Sequence, residues 1–590
     1  MNLGLKWGRS MYASEPLVLE LTALLKAHGV RNIVISPGSR HYAFTRTFEN
    51  DQDFSLHSVV DERSAAFFAL GLIQATGEPA ATICTSGTAA LNYGSAIAEA
   101  ASQKLPLVAI TTDRLPEFLG QMEDQMIDQR GLFDGFVRYA GDLRPIANKR
   151  DRWYCNRVIN EALVAAREGG GGPVHLNIPI ESHSGVRFTE PQLPDVRVIT
   201  RHRLELGEPD WTALAERLGR ERVLLVWGQG ARPSERAAAA LTAFTESFDV
   251  AVIADHLANL HLDGRIDNPL AFLRVAGATR PELKPDVVIT FGGNVVFKDE
   301  LKGFLNGSDH EHWRVDLDGA IADPFRTLTD VIQCRPEYFL ERIVAAHADP
   351  VAGGTYAGRM LEAADSIPAP SSEHGELAAI GGLMRALPHG SSLHIANSAP
   401  IRMAQLHAID HSIDVFCNRG VNGIDGCLST AIGYAAATAK PTFMIIGDLT
   451  FFYDMNSLWI RNLPDNLRIL LLNNEGGAVM HVPLPQEYSN TVAGRHVSAE
   501  HGMSARGWVE SLGIGYSAAH TSEETATGIG WLTDLDEHGP RVLEVFSKKI
   551  TDIAQLKAYY STLTGGAVEP SAYQRIRRRG GRVLRRLGLR

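Results

Sequence analysis

Two short stretches hold the residue types best suited to chemistry. Gly447-Asp448-Leu449 is followed, after 23 residues, by Asn473-Asn474. Each lies directly after a strongly apolar run, TFMII and RILLL, of the kind that forms a buried parallel strand. Ligands of open parallel sheets bind beyond the carboxyl ends of the strands. Asp448 and Asn474 are therefore expected at one sheet edge, where a carboxylate and an amide oxygen can share a hard cation. Mg2+ takes few carboxylates and fills its remaining positions with phosphate and water, and the glycines let backbone approach the phosphate. A βα loop with an Asp N-cap and an Asn-Glu-Gly-Gly turn accounts for the same spacing about equally well. A further carboxylate, Glu62, stands in Val59-Val60-Asp61-Glu62-Arg63 at a strand end, just before the helical run SAAFFALGLIQATG. Taken alone, it reads as a helix N-terminus whose acids favour the dipole.

The elements that must position these groups form an α/β rhythm. NIVIS (32–36), AATICTSG (80–87), LVAITTD (107–113) and PVHLNIP (173–179) read as buried strands between helices. A proline-containing connector covers about 183–208. RVLLVWGQG (222–230), DVAVIADH (249–256) and DVVITFGGN (286–294) form a second set. A Gly, Pro and Ser-rich break at 349–375 precedes a third, LHIANS (393–398), DVFCN (414–418), TFMIIGD (442–448) and RILLLNNEGG (468–477). The expected fold is α/β, with three consecutive open, mainly parallel-sheet domains at 1–190, 205–350 and 370–560, then a basic tail at 561–590. With 590 residues and roughly 150 per domain, the length agrees.

Composition narrows the function classes. The chain is 45% hydrophobic with net charge −11 and no long acidic block, which speaks against a nucleic-acid binder. Cys84, Cys155, Cys334, Cys417 and Cys427 include no CxxC pair, so neither a disulfide framework nor a structural zinc is expected. The opening MNLGLKWGRSMYASEP lacks the apolar run of a secretory signal, and no run approaches the ~20 residues of a membrane span. A cytoplasmic enzyme is the expectation.

The Gly-Asp-Leu/Asn-Asn pair resembles the thiamine-diphosphate motif, with Leu449 where that motif has a third glycine. The resemblance implies thiamine diphosphate and Mg2+ (or Mn2+) as cofactors, with Asp448, Asn474 and a Gly476 carbonyl on the metal. It implies that Gly447 and Leu449 line the cofactor and that Glu62 is the activating glutamate. A carboxylate bonded to the aminopyrimidine ring nitrogen favours the imino tautomer, which takes the thiazolium proton. Thr85, Ser86 and Gly87 resemble the family's phosphate- or pyrimidine-side turn, and Ile424 the apolar wedge between the cofactor's two rings. Within that superfamily, nearly the whole chain resembles the menaquinone-pathway 2-succinyl-5-enolpyruvyl-6-hydroxy-3-cyclohexene-1-carboxylate synthases. The likeness rests on Ser36-Pro37-Gly38-Ser39-Arg40, Thr112-Asp113-Arg114-Leu115-Pro116-Glu117, Gln125, Lys298 in GGNVVFKDEL, Asn397-Ser398 with Arg402, Asn418-Arg419 through Gly426, and GDLTFFYDMNSL. It implies a 2-oxoacid donor, 2-oxoglutarate, and an anionic acceptor, isochorismate. The implied substrate residues are Ser39, Arg40, Arg114, Gln125, Lys298, Ser398, Arg402 and Arg419. Both substrates are polyanions, and guanidinium forks suit carboxylates; any one of these cations alone reads as a surface ion pair. The family pairs its glutamate and its metal site across subunits, which implies a homodimer or homotetramer.

Three departures bear on the acceptor. Asp124 stands where the family has Asn; Glu475 through His481 replaces the usual Asn-Gly-Gly followed by Ile-Phe; and from Arg575 onward eight of sixteen residues are arginine. A paralogous decarboxylase or carboligase with another acceptor, and a non-catalytic protein of the same fold, are the competing readings. The intact Glu62, Asp448 and Asn474 speak against the latter. In the tail, Ile576, Val583, Leu584 and Leu587 fit one helical face suited to weak contact with an anionic membrane surface. A disordered basic tail interrupted by Gly580-Gly581 is the alternative.

Overall fold

The computed structural model describes residues 11–180, 185–201, 209–347, 355–481 and 491–563; the arginine-rich tail lies outside them. The chain forms the expected α/β fold. β1 (Tyr12–Ala13) comes first, followed by the strands of one parallel sheet: β2 (Asn32–Ile35), β3 (Ser55–Ser58), β4 (Ala80–Cys84), β5 (Leu107–Asp113), β6 (Tyr139–Asp142) and β7 (Val174–Pro179). β8 (Phe188–Glu190) then returns to pair antiparallel with β1. A second parallel sheet contains β9 (Val223–Trp227), β10 (Val250–Ala254), β11 (Val287–Phe291), β12 (Glu311–Val315) and β13 (Leu328–Ile332). A third contains β14 (Ser392–Ile395), β15 (Asp414–Phe416), β16 (Thr442–Gly447), β17 (Leu467–Asn473), β18 (Gly515–Ala519) and β19 (Arg541–Phe546).

The first and third sheets share one topology. Their orders are β3-β2-β4-β5-β7-β6 and β15-β14-β16-β17-β19-β18. In each, the opening strand lies between the second and the third, so the strand order reverses beside it, and such a switch point is where α/β sheets open a crevice for ligands. In the first sheet the loops flanking it are 36–40 and 85–87; in the third they are 396–398 and 447–449. The middle sheet, ordered β10-β9-β11-β12-β13, has the same reversal at β9 and β11. There the Gln229 amide donates to the Cys417 carbonyl (2.8 Å), and the Asn294 amide to the carbonyls of Arg419 (3.1 Å) and Gly420 (3.0 Å). The middle switch point thus supports a loop of the third sheet.

The central strands are apolar because helices cover both their faces. β4, AATIC, is buried throughout, as are β16 up to Ile446 and all of β17. Two helices join the outer sheets into one core. Phe67, Phe68 and Leu72 of helix Glu62–Thr76 pack with Leu428, Ala431 and Ile432 of helix Cys427–Ala436 and with Met444, Ile446 and Leu471 beneath them. Glycines make that crossing close. A Cβ on Gly71 would stand 2.5 Å from Tyr434 N, and one on Gly433 would stand 2.8 Å from the Phe68 carbonyl carbon. Glu62 and the loop holding Arg419 and Ile424 are thereby tied to one contact.

Candidate active site

Parallel pairing of β16 with β17 sets Gly447 opposite Leu472, so Asp448 and Asn474 leave the sheet side by side. Asp448 begins helix Asp448–Asp454 and is 3% exposed. Its Oδ1 accepts the Leu449 N–H (2.6 Å), and its Oδ2 accepts those of Asn474 (3.2 Å) and Gly476 (2.9 Å). Burial raises its pKa above the ordinary carboxylate value, although the Gly476 N–H opposes the shift. Gly476 has φ 139°, and a Cβ there would stand 2.6 Å from the Ser498 carbonyl oxygen. Its own carbonyl accepts the Ala478 N–H at 3.0 Å.

The buried donors around this point suit a divalent cation. Glu376 and Asp552 are buried nearby, and burial, then the Asp552 and Asp448 charges, pushes Glu376 well above its usual pKa, while among the described residues no three His, Cys, Asp or Glu side chains are grouped to hold a metal ion. Glu376 Oε2 is buried without a hydrogen-bond partner among the described residues. The Asn474 amide nitrogen donates to Asp552 Oδ2 at 3.3 Å, which presents its oxygen on the other side. A carboxylate, an amide oxygen and close backbone fit a hard metal carrying a diphosphate. His501 also reaches this point. Its Nδ1 accepts the Met503 N–H (3.2 Å), and its Nε2 lies 3.2 Å from Asp448 Oδ2.

Glu62 occupies the first turn of its helix, where Asp61 does the capping by accepting the N–H groups of Arg63 (3.0 Å) and Ser64 (3.2 Å). That leaves the half-buried Glu62 carboxyl free of the capping role, and burial raises its pKa. Buried Cys84 and Tyr93 lie within its electrostatic reach, the Cys84 thiol being pushed up to about 12 chiefly by burial. Across the first switch point, Arg40 Nε donates to Ser86 Oγ at 3.1 Å. The Gly87 backbone runs beside Gln125, 3.3 Å from where a Gly87 Cβ would be, and Gln125 adopts φ 54°. Ser39 lies in the loop between β2 and the helix Tyr42–Glu49, next to Arg40. The Arg114 charge lowers the Arg40 pKa, after burial as the larger cause, so the two guanidiniums face one region. Arg114 Nε donates to the Asp124 carbonyl (2.8 Å), and its NH1 pairs with the Glu123 carboxylate (3.0 Å). The Asp124 side chain itself is exposed.

Lys298, Arg402 and Arg419 form a second cationic group, facing the third sheet. Lys298 Nζ donates to Asn294 Oδ1 at 3.1 Å; burial, then Lys302, lowers its pKa, with Arg419 contributing. Burial lowers that of Arg419 too, with Arg402 adding to the effect. Arg419 NH1 reaches Asn397 Oδ1 at 3.4 Å, and Ser398, beside Asn397, has φ 79°. Ile424 is half-buried in the loop before the Cys427 helix. Glu99 anchors that loop by accepting the N–H groups of Gly420 (2.7 Å) and Val421 (2.8 Å).

The chosen residues therefore fall into two sets. Glu62, Ser39, Arg40, Thr85, Ser86, Gly87, Arg114 and Gln125 line the first sheet's crevice. Lys298, Ser398, Arg402, Arg419, Ile424, Gly447, Asp448, Leu449, Asn474 and Gly476 line the third's. Among the described residues, no hydrogen bond or ion pair joins the two sets. Sequence reasoning missed Gln129, which is fully buried and accepts the Gly87 N–H at 2.8 Å. It also missed Glu99, His501 and Asp552. Only the proximity of Gln129 to Gln125 in MEDQMIDQRG offered a signal, and it does not say which glutamine turns inward.

Comparison with known proteins gives a consistent picture. The family described as "Thiamine pyrophosphate enzyme, N-terminal TPP binding domain" matches residues 20–132. The 2-succinyl-5-enolpyruvyl-6-hydroxy-3-cyclohexene-1-carboxylate synthase of Phocaeicola vulgatus is 42% identical over 565 residues, 94% of this chain and 99% of its own. Its namesake in Bacteroides thetaiotaomicron is 40% identical over 94% of this chain and 100% of its own. That of Desulfotalea psychrophila is 35% identical over 88% and 96%.

Proposed function

Because this chain belongs to the 2-succinyl-5-enolpyruvyl-6-hydroxy-3-cyclohexene-1-carboxylate synthase family, we propose that it decarboxylates 2-oxoglutarate and joins the resulting four-carbon unit to isochorismate. It is a thiamine-diphosphate-dependent transferase of menaquinone biosynthesis. The observation that carries the reading is likeness along nearly the whole length of both chains, together with Asp448 and Asn474 side by side at the ends of adjacent strands, next to a switch point. The exposed Asp124 side chain removes one objection, since Arg114 engages that residue's carbonyl rather than its carboxylate.

In this reading Asp448, the Asn474 oxygen and the Gly476 backbone would hold Mg2+, which neutralises the diphosphate's charge. Bound thiamine diphosphate supplies the nucleophilic carbon and the electron sink for breaking the carbon–carboxylate bond. Glu62 would accept or share a proton with the aminopyrimidine ring nitrogen, and its raised pKa suits that role. Thr85, Ser86 and Gly87 would hold the pyrimidine side, Gly447 and Leu449 the diphosphate side, and Ile424 would supply the apolar contact between the cofactor's rings. Arg402, Arg419 and Ser398 orient the donor carboxylates, while Ser39, Arg40, Arg114, Gln125 and Lys298 receive the acceptor.

The domains are assigned as 1–190 for the pyrimidine, 205–350 as central support and 370–560 for the diphosphate. The two separate residue sets favour a homodimer in which Glu62 of one protomer meets Asp448 of the other. Exposed Phe118, Met122, Phe136, Val421 and Trp459 offer apolar surface for that pairing. No described helix is long and apolar enough to cross a membrane, and a cytoplasmic setting suits the free cysteines. The test is incubation of pure protein, thiamine diphosphate and Mg2+ with 2-oxoglutarate, with and without isochorismate, followed by mass spectrometry. Decarboxylation without any isochorismate adduct overturns the acceptor assignment.

A further inference from the structure

Asp552 sits 78 positions from Asn474 in sequence yet against it in space, in the first turn of the helix Lys549–Leu563 and 1% exposed. Three donors converge on its carboxylate. Oδ1 accepts the Glu376 N–H at 3.1 Å; Oδ2 accepts the Ser547 hydroxyl at 2.6 Å and the Asn474 side-chain amide at 3.3 Å. The backbone at Gly375 runs so close that a Cβ there would fall on Asp552 Oδ1. Both oxygens of the carboxylate are therefore engaged, which fixes its orientation.

The two ends of an asparagine amide have nearly the same shape and opposite hydrogen-bonding character. Only its neighbours decide whether oxygen or nitrogen faces a cation. A carboxylate accepts and cannot donate, so Asp552 holds the NH2 end and leaves the oxygen for the metal side. We propose that Asp552 is a positioning residue that selects the metal-binding orientation of the Asn474 amide. The inference rests on the metal assignment above and adds a specific determinant to it. Groups that orient metal ligands typically contribute 10–100-fold to metal affinity.

Asp552→Asn is the discriminating change, because it keeps the shape. An asparagine side chain has one acceptor end. Turned to satisfy the Glu376 N–H, it faces Asn474 with its own NH2; turned the other way, it sets NH2 against the Glu376 N–H. In the first arrangement the Asn474 amide flips and offers NH2 to the metal. Adding Asn474→Asp restores an oxygen on both sides, since the new carboxylate accepts from the amide introduced at position 552 and still faces the cation. Mn2+ dissociation constants, measured by electron paramagnetic resonance with thiamine diphosphate present, read the effect directly. Asp552→Asn is expected to weaken Mn2+ binding about 10–100-fold, with the melting temperature of metal-free protein near wild type. The double variant is expected to regain most of that affinity. Affinity within twofold of wild type in Asp552→Asn, or a double variant as weak as the single one, overturns the positioning role. Wild-type protein that takes up no Mn2+ overturns the metal reading itself, and this proposal with it.

Discussion

Replacing Gly433 by alanine tests how tightly the outer sheets must be joined. The added Cβ would stand 2.8 Å from the Phe68 carbonyl carbon and 2.9 Å from its Cα, backbone atoms of the Glu62 helix that cannot swing aside. Carbon pairs are comfortable at about 3.5–4.0 Å, so the helices must part by on the order of 1 Å. Overpacking of this kind costs about 1–3 kcal/mol, and a helix crossing with backbone on both sides belongs at the upper end. The intrinsic gain from glycine to alanine in a helix, roughly 0.5–1 kcal/mol, offsets part of it, leaving about 2 kcal/mol of destabilisation. Glu62 opens one helix, and the loop with Arg419 and Ile424 leads into the other. The same movement therefore shifts catalytic geometry, and a 1 Å misplacement costs up to about 10²-fold in rate. Gly530→Ala is the control: it also lies in a helix, but nothing lies within 4 Å of its would-be Cβ. Thermal melting followed by circular dichroism, with kcat and KM for each variant, reads both effects. Gly433→Ala is expected to melt lower and turn over more slowly, while Gly530→Ala melts level or higher. A Gly433→Ala protein matching wild type in both measurements refutes the account of the crossing.

Other changes probe the site itself. Glu62→Gln should still bind thiamine diphosphate but lose ~10²–10⁴-fold in turnover; unchanged exchange of the cofactor's C2 proton in that variant would show that another carboxylate does the work. Asp448→Ala should abolish metal-dependent cofactor binding in calorimetry while the far-ultraviolet spectrum stays native, and undiminished binding after chelator treatment contradicts the assignment. Asp124→Asn should leave kinetics with isochorismate nearly unchanged, because only its carbonyl meets Arg114 at 2.8 Å. Glu123→Gln frees Arg114 from its 3.0 Å ion pair and should lower the isochorismate KM, by no more than the ~0–1 kcal/mol of an exposed pair. Truncation after Gly566 tests the tail in co-sedimentation with anionic vesicles; equal pelleting with full-length protein rules it out as an anchor.

What was legible in the sequence follows from how each feature is encoded. Asp448 and Asn474 were visible because buried parallel strands are unbroken apolar runs, and the residues leaving them mark the crevice. The edge strand β3, SLHS, carries no such run, and the sequence marked only its end, before Glu62. Unseen altogether was β19, where the buried Glu544 interrupts RVLEVF and accepts the Asn473 amide at 2.7 Å. The switch points depend on strand order, which no local pattern encodes, so the pairing of Arg40 with Ser86 required the fold. Gln129, Glu99 and Asp552 went unseen for a related reason. Each is a polar residue on an ordinary-looking stretch whose partner lies 42, 321 and 78 positions away. In water such side chains read as solvated surface. Once buried, each must find a hydrogen-bonding partner, and here the partners are the turn at Gly87, the loop at Gly420 and the amide of Asn474. The sequence motif thus marks where Asp448 and Asn474 leave the sheet, while buried polar residues from distant segments hydrogen-bond the turn, the loop and the amide around the site.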